Sequence, residues 1–361
     1  MKRRDLLKAL PLSVASYPSN NARAAPKIQW RLVSSFPKSL NITFGAAKVF
    51  AENLSALTDG NFSVQLFAAG EVVPALQAID AVQNGAVEAC QSPGFYNQGK
   101  DLTWALGTGV PFGFNADGLN AWLYEGGGQG LYNEYVGKYG LISFPAGNTG
   151  PRMGAWFRKE ISTIDDLRGL KIRIGGLAGQ ILQRLGAVPV QIPGAELYQA
   201  LESGAIDAVE WISPYDDEKL GFGRIAPYYY YPGLAGNAMM GHFFVSREKF
   251  QRLPQSYQIA FDIAAKASAA HSLYSYDAKN PDALKRILGA GAQLRLFSPE
   301  ILQACFDAAQ IFYREQCERN LEFAKIWSSL ASFRKKYWEW QQVAGQAADH
   351  FMIQQLHAGR L

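Results

Sequence analysis

The sequence predicts an α/β protein of two lobes that close on each other like a clamshell, followed by long helices. Short apolar segments typical of strands alternate with amphipathic helices up to about residue 245. A segment rich in glycine, asparagine and proline at 147–151 interrupts this alternation and predicts a hinge. From Pro254 onward the pattern is mostly helical, and 361 residues are enough for two domains.

The first lobe is predicted to begin with a βαβαβ unit, which is typical of a mostly parallel sheet. Alternating or short apolar runs indicate the strands, and apolar residues three to four apart indicate the helices. The predicted elements are strand 28–35, helix 44–57, strand 62–67, helix 75–82, strand 87–91 and, before the hinge, strand 141–146.

The second lobe is predicted to repeat this alternation after the hinge. Its elements are strand 171–174, helix 179–185, strand 188–192, helix 195–201, strand 206–210 and the aromatic strand 228–231. The apolar run 240–245 is predicted to cross back to the first lobe, and long helices follow at 257–278, 299–327 and 333–356.

Two segments share one pattern and support the division into two similar lobes. Residues 75–90 and 196–210 each contain an amphipathic helix, a polar residue with glycine, and a short apolar strand with one acid. Glycine after a helix closes it in a left-handed cap. We assign residues 25–148 plus about 240–298 to the first lobe, and 149–239 plus about 299–361 to the second lobe and the C-terminal helices.

Residues 1–24 are predicted to be a twin-arginine (Tat) export signal. The basic stretch 2–8 contains Arg3-Arg4, a short apolar stretch follows, and Ala22-Arg23-Ala24 has the pattern of a cleavage site. No later segment has the roughly 18 apolar residues that a spanning helix needs. We therefore expect an exported protein whose mature form begins near Ala25.

The export signal also accounts for the net charge of the chain, which is +4. Residues 1–24 carry five basic residues and one acidic residue, so the remainder is close to neutral. A neutral chain gives no reason to expect binding to nucleic acid or to an anionic membrane surface.

Common catalytic and metal-binding motifs are missing from the sequence. The glycine-rich stretch 175–179 lacks the G-x-G-x-x-G spacing of a dinucleotide site, and no G-x-S-x-G motif occurs. The four histidines fit no zinc pattern, and the three cysteines predict no disulfide framework. Asp216 and Asp217 begin a predicted helix, where we expect them to be solvated and to complement the helix dipole.

The first candidate binding residues lie at the ends of two strands in the second lobe. Glu210 and Trp211 follow an apolar strand, at the end where open α/β sheets place ligand groups. A carboxylate buried there needs a partner. Arg173 ends another apolar strand, and an arginine in that setting suits bidentate binding of a carboxylate. These residues predict a site for a small organic acid.

Further candidates lie on both sides of the hinge. Amide, hydroxyl and aromatic groups end strand 87–91 in the first lobe, and polar groups follow the hinge in the second. Two lobes, a hinge and an export signal predict a protein that closes over a small acid. The additional candidate ligand-binding residues are Arg152, Asn148, Tyr96, Gln91, Phe36, Tyr215 and Asn237.

Four blocks occur in a fixed order along the chain: NTG…WF, DLRGLKIRIGG, ESGAIDAVEWISPYDD and YYYYPG. In this order they resemble the extracytoplasmic solute-binding proteins of TRAP transporters (the DctP type), above all the branch that binds 2-oxo acids and related monocarboxylates. The resemblance implies a periplasmic-binding-protein-like clamshell with long connecting and C-terminal helices. It also implies periplasmic delivery of a small organic acid to a sodium-driven TRAP membrane permease.

The resemblance also implies site residues, and here the sequence departs from the family. The family's carboxylate-binding arginine corresponds to Arg173. In the 2-oxo acid branch a metal ion is held by a glutamine, a glutamate and a tryptophan carbonyl, and the last two correspond to Glu210 and Trp211. The glutamine corresponds to Arg152, whose guanidinium has no lone pair for a metal. A glutamate that the branch often carries after the YYYYPG strand is missing, with Gly236 near that point.

These departures predict a site without a metal ion or other cofactor. Arg152 is expected to pair with Glu210, while Arg173 holds the carboxylate of the ligand. Small groups near Gly236 are expected to enlarge the pocket, which favours a hydroxylated or cyclic acid, polyhydroxylated acids included, over pyruvate.

Two other functions stay open at this point. An exported lyase or hydrolase could use Glu210 as its general base, although no nucleophile or catalytic histidine accompanies it. A ligand sensor for a receptor kinase would use the same clamshell closure. The aromatic C-terminal helix, with Trp338, Trp340 and Phe351, is expected to pack on the second lobe or, alternatively, on a second subunit in a homodimer.

Overall fold

The computed structural model describes residues 26–361 of the chain. The export signal expected at residues 1–24 lies outside the described residues. Within 26–361, no helix combines the length and the apolar character that a membrane crossing requires.

Two β-sheets organise the described residues, one in each lobe. The first sheet has the strand order β2-β1-β3-β10-β4 and the second the order β11-β9-β5-β8-β6-β7. In chain order the strands are β1 (Ile28–Ser34), β2 (Phe62–Phe67), β3 (Ala89–Ser92), β4 (Leu141–Asn148), β5 (Ala155–Phe157), β6 (Lys171–Arg173), β7 (Val188–Val190), β8 (Ala208–Val209), β9 (Tyr228–Tyr231), β10 (Met240–Ser246) and β11 (Gln293–Leu296).

Helices cover both sheets and form the C-terminal part of the chain. In chain order they are α1 (Thr43–Leu57), α2 (Ala78–Gln83), α3 (Ala116–Tyr124), α4 (Gly128–Gly137), α5 (Leu177–Arg184), α6 (Leu197–Glu202), α7 (Pro214–Leu220), α8 (Arg247–Gln251), α9 (Gln255–Gly289), α10 (Pro299–Arg319) and α11 (Leu321–His357).

The first sheet combines the predicted parallel unit with one returning strand. β1 pairs in parallel with β2 and β3, while β10 lies antiparallel between β3 and β4. The predicted return of the chain at 240–245 is therefore confirmed. On one face, buried Leu32, Phe50 and Phe243 pack with Phe261 of α9, so the sheet and this long helix share one core.

The second sheet buries a carboxylate that we expected to be solvated. The ring of Trp156 on β5 stacks on Tyr229 of β9 with 3.8 Å between the ring centres. Oδ2 of Asp217 accepts hydrogen bonds from Trp156 Nε1 at 3.0 Å and from the Tyr229 hydroxyl at 2.7 Å. Asp216 is also fully buried, so the expected solvated helix start is wrong. Acidic residues at the start of a helix are typical of a solvated cap, and the local sequence does not show that Trp156 and Tyr229 donate to Asp217.

The lobes are connected by two crossing segments and by α9. Strand β4 continues through Asn148, two residues beyond the prediction, before the chain enters the second lobe. The backbone N–H of Thr149 donates to the Met239 carbonyl, and the backbone N–H of Met239 donates to Thr149 Oγ1, both at 3.0 Å. Helix α9 has 35 residues, about 52 Å at 1.5 Å per residue, and packs on α1 and β4 in one lobe and α7 in the other.

The C-terminal region differs from the expected lobe boundaries. Strand β11, within the range assigned to the first lobe, pairs with β9 in the second sheet. Helix α11, assigned to the second lobe, packs on α3 and α4 of the first, where Trp122 Nε1 donates to Ser329 Oγ at 3.2 Å. The predicted helix 299–327 ends at Arg319, because Asn320 leaves the helix and caps the next one with its side chain.

Candidate functional site

The lobes meet around a small cavity that is lined by five of the predicted binding residues. The cavity measures about 10 Å³, close to the space one water molecule needs, so an organic acid can enter only when the lobes are further apart. The first lobe contributes Phe36, Pro93, Phe95 and Tyr96, and the second contributes Arg152, Arg173, Trp211 and Ile212. Met239, at the end of the crossing segment, completes the lining.

Strand pairing brings Arg173 and Glu210 together. β6 and β8 are parallel neighbours with Arg173 opposite Val209, so the residue after Val209 lies at the end of the Arg173 strand. Nη1 of Arg173 donates to the Glu210 carbonyl at 2.6 Å, and Nε donates to the Ile192 carbonyl at 3.2 Å. These bonds fix the guanidinium at the wall of the cavity.

Arg152 reaches the same carboxylate from the segment that follows the hinge. Its Nη2 is hydrogen-bonded to Oε1 of Glu210 and donates to the Trp211 carbonyl at 2.5 Å. Both side chains are buried, with 4% of Arg152 and 1% of Glu210 exposed. Nη1 of Arg173 lies 3.7 Å from Oε2 of Glu210, so one carboxylate lies between two guanidinium groups.

The opposite charges of the site offset part of the free-energy cost of burying them. Burial raises the pKa of the Glu210 carboxyl, and the positive charges of Arg152 and Arg173 act against that rise. Burial lowers the pKa of Arg173. Two guanidinium groups with one carboxylate leave one net positive charge in the cavity, which an anionic ligand would balance.

Trp211 forms an aromatic wall next to the arginines. The guanidinium carbon of Arg173 lies 4.6 Å from the centre of its ring, within the range of a cation–π interaction. Within residues 26–361, neither Trp211 Nε1 nor Arg152 Nε has a hydrogen-bond partner, although both atoms are buried. Buried donors without an acceptor are costly, so an acceptor between the lobes would stabilise the closed form.

The first lobe supplies an apolar and aromatic wall. Phe36 and Tyr96, two of the predicted binding residues, line the cavity, and burial raises the pKa of the Tyr96 hydroxyl. Phe95 touches the second lobe so closely that a β-carbon on Gly175 would lie 2.9 Å from its ring. The Gln191 side chain adds a polar contact between the lobes by donating to the Tyr96 carbonyl at 3.4 Å.

Two predicted binding residues lie beside a second small cavity within the first lobe and are engaged in structural bonds. Gln91 accepts from Ser34 Oγ and donates to the Thr43 carbonyl, both at 2.7 Å. Asn148 donates to Asn120 Oδ1 at 3.0 Å and accepts from the backbone N–H of Gly150 at 2.9 Å. The structure therefore gives both side chains a role in shaping the lobe and the hinge.

Two other predicted residues lie away from the cavity. Tyr215 is on the side of α7 where Lys219 and Lys279 lie 4.3 Å and 5.3 Å from its ring centre. Asn237 is exposed on the crossing segment. Neither residue lines the cavity in this structure, since sequence proximity to Trp211 or to the hinge does not set the direction of a side chain.

The pocket enlargement expected at Gly236 is also not seen. Gly236 has φ +121°, and a β-carbon there would lie 3.0 Å from the Val110 carbonyl oxygen. The residue is absent from the cavity lining within the described chain. Glycine is suited to this position because the backbone has a positive φ and passes close to Val110.

Sequence reasoning missed four cavity residues: Pro93, Phe95, Ile212 and Met239. The first two are in the segment 91–96 that the sequence had singled out, and Ile212 directly follows Trp211. Their apolar character gave no signal of ligand contact, because apolar side chains are equally typical of a core.

The chain matches the family model described as DctP, bacterial extracellular solute-binding protein, family 7, over residues 33–320. It is 40% identical over 360 residues to a monocarboxylate 2-oxoacid-binding periplasmic protein of Nostoc sp., a match that covers 97% of this chain and 99% of the relative.

Two solved structures have the same fold over nearly their full length. One is a TRAP transporter solute-binding protein of Bordetella bronchiseptica, a mixed-occupancy dimer with calcium and picolinate (40% identity, TM-score 0.91, 92% of this chain and 99% of that one). The other, from Pseudoalteromonas atlantica, holds sodium and pyruvate (37% identity, TM-score 0.87, 90% of this chain and 99% of that one).

Proposed function

Because the chain belongs to the DctP family of bacterial extracellular solute-binding proteins, we propose that it binds a small monocarboxylic acid between its lobes. This agrees with the resemblance inferred from the sequence. The bound acid is delivered to the membrane permease of a TRAP transporter. The expected Tat export to the periplasm belongs to the same proposal, and the relative from Nostoc is named as a periplasmic protein.

One observation supports this function above all others: two buried arginines face a cavity whose other walls are apolar. Arg152 and Arg173 share the single carboxylate of Glu210, and the remaining lining residues carry no charge. An anionic carboxylate fits the guanidinium groups, while the rest of the ligand meets aromatic and aliphatic side chains. This lining supports a monocarboxylate with an apolar body and gives no support to a polyhydroxylated one.

Neither alternative function gains support from the site or the relatives. A general base at position 210 would first have to release Arg152, whose guanidinium is bonded to Oε1 of Glu210. The relatives reported above are named as binding proteins, and none is named as a lyase, a hydrolase or a receptor partner.

The proposal includes a homodimer formed through the end of α11. In this helix, Tyr337 is the last buried residue, and twenty further helical residues extend beyond it. Trp340, Val343 and Phe351 share one face of this extension and are 63%, 68% and 58% exposed. A second copy of the chain would cover this face, and the Bordetella relative is described as a dimer.

A thermal-shift screen followed by calorimetry tests the proposed function. Pyruvate, 2-oxobutyrate, lactate and picolinate are expected to raise the melting temperature, because a ligand that binds only the folded state stabilises it by about 3 kcal/mol at a hundred times Kd. Succinate, glucose and alanine serve as controls. The proposal fails if sugars or amino acids are the only compounds that stabilise the protein, or if NMR shows that a bound acid is converted.

A further inference from the structure

The position that the family resemblance assigns to a cation is occupied by an arginine side chain in this protein. The resemblance assigns a metal ion to the carboxylate of Glu210 and the carbonyl of Trp211. In this structure both oxygens are already bonded to one atom, Nη2 of Arg152. A guanidinium carries a fixed positive charge and no lone pair, so it repels a cation and cannot ligate it.

The third protein ligand that the resemblance implies is also missing, since the glutamine position is Arg152 itself. The branch often carries a further glutamate after the YYYYPG strand, and this chain has Gly236 near that point. Gly236 has φ +121°, and a β-carbon there would lie 3.0 Å from the Val110 carbonyl oxygen, so an ordinary side chain at this position would be strained and crowded. Within residues 26–361, no group of three or more histidine, cysteine or acidic side chains could hold a metal ion. The residues of this site therefore do not fit a cation.

We infer that the guanidinium of Arg152 replaces the cation and that this protein binds its monocarboxylate without a metal ion. The inference rests on the proposed function and deepens it. The buried Nε of Arg152 has no partner within the described residues and lies in a residue that lines the cavity. Together with the buried guanidinium of Arg173, it offers a fixed donor and fixed positive charge to one carboxylate.

The charge of the site limits the class of acid. A bound metal ion can be exchanged for an ion of different charge, whereas the guanidinium of Arg152 always carries one positive charge. The one net positive charge of Arg152, Arg173 and Glu210 is balanced by a single carboxylate. A second carboxylate would have to be buried among Phe36, Phe95 and Met239 without a partner, which is strongly unfavourable. Dicarboxylates are therefore excluded.

Calorimetry with pyruvate and picolinate in two buffers tests the inference. One buffer contains EDTA with choline as the only cation, and the other contains sodium and calcium. For the wild-type protein, the Kd values in the two buffers are expected to agree within about threefold. This is well under the tenfold change that 1.4 kcal/mol represents. Binding that improves about tenfold or more with either cation would confirm the proposed function and overturn this inference.

The substitution Arg152→Gln restores the residue type that the resemblance assigns to this position. This variant is expected to bind at least about tenfold more weakly than wild type in the EDTA buffer, and calcium or sodium should recover part of the loss. Arg158→Gln removes an exposed arginine of the same lobe and is the matched control, with wild-type binding expected in both buffers. Wild-type affinity of Arg152→Gln in EDTA would overturn the inference.

A failure of the proposed function would look different. If neither acid binds in any buffer, the proposed function is wrong. The metal content of the protein then tests separately whether Arg152 replaces the cation. After dialysis against calcium, mass spectrometry of the elements should find no stoichiometric calcium in the wild-type chain. About one calcium ion per chain would contradict the replacement by Arg152.

Discussion

The ring of Phe95 in the first lobe lies directly on Gly175 in the second. A β-carbon at position 175 would lie 2.9 Å from two carbon atoms of this ring, closer than such atoms pack. Gly175 is also adjacent to the site, since its N–H donates to Oε2 of Glu210 at 3.4 Å. The closed arrangement therefore depends on the absence of a side chain at this position.

Gly175→Ala is expected to weaken acid binding by holding the lobes apart. Overpacking of this kind costs about 1–3 kcal/mol, which corresponds to a rise in Kd of roughly fivefold to 150-fold. Calorimetry with pyruvate measures the effect, and small-angle scattering should show less compaction on pyruvate addition. Gly130→Ala, where a β-carbon has open space, should behave as wild type. Unchanged affinity of Gly175→Ala would rule out this role of the contact.

Arg173→Lys is expected to lose most of the affinity for monocarboxylates while keeping the charge. A lysine cannot reproduce the planar fork that bonds the carbonyls of Glu210 and Ile192 while the guanidinium lines the cavity. Loss of a charged hydrogen bond costs about 1.5–3 kcal/mol, or at least a tenfold rise in Kd. The exposed Arg158→Lys is the control, and equal Kd values for both variants would argue against ligand binding by Arg173.

The buried carboxyl of Asp216 is expected to make stability depend on pH. Its Oδ2 accepts from the Tyr276 hydroxyl at 2.5 Å and from Thr43 Oγ1 at 3.3 Å, which joins α7 to α9 and α1. Oδ1 is buried with no partner in the described chain. Burial raises the pKa of Asp216 from 3.8 to about 6, so the folded state holds this proton more tightly than the unfolded state.

The sign follows from this difference in proton affinity. The contribution of Asp216 to the free energy of unfolding is full below pH 3.8 and is lost as the pH rises through about 6. The loss is at most about 3 kcal/mol. Asp216→Asn should therefore flatten the fall in melting temperature between pH 4.5 and about 7.5. Asp217, whose pKa burial raises to about 7, contributes a slope of the same sign that remains in the variant. The exposed Asp165→Asn should keep the wild-type slope, and an equal slope in Asp216→Asn would contradict the prediction.

Replacing Trp340 and Phe351 by glutamate is expected to convert a dimer into a monomer. Both side chains lie on the exposed end of α11, where a charge would be buried without a partner if a second copy packed there. Light scattering after size exclusion measures the mass. Tyr274→Glu, at an equally exposed aromatic residue of α9, should leave the assembly unchanged. A monomeric wild type, or a dimer that survives both substitutions, would refute this interface.

Much of the fold could be predicted because strand and helix periodicity depends on local sequence. The strand 62–67 has the predicted bounds, and most other elements begin or end within a few residues of them. The break at Asn320 was missed, since one capping asparagine competes with a continuous helical pattern on both sides. The lobe that α11 covers could not be read from its aromatic residues, because apolar periodicity shows which face is buried and not what covers it.

The sequence by itself determined the α/β alternation, the strand ends that carry Arg173 and Glu210, and the arginine at position 152. Those features follow from residue type and local spacing. Only the tertiary structure decided that Arg152 bridges Glu210 and the Trp211 carbonyl, that Gln91 and Asn148 are engaged in their own lobe, and that Asp216 is buried. Each of these depends on which surfaces the two lobes and α9 bring together, and contacts between distant segments have no local signature in the chain.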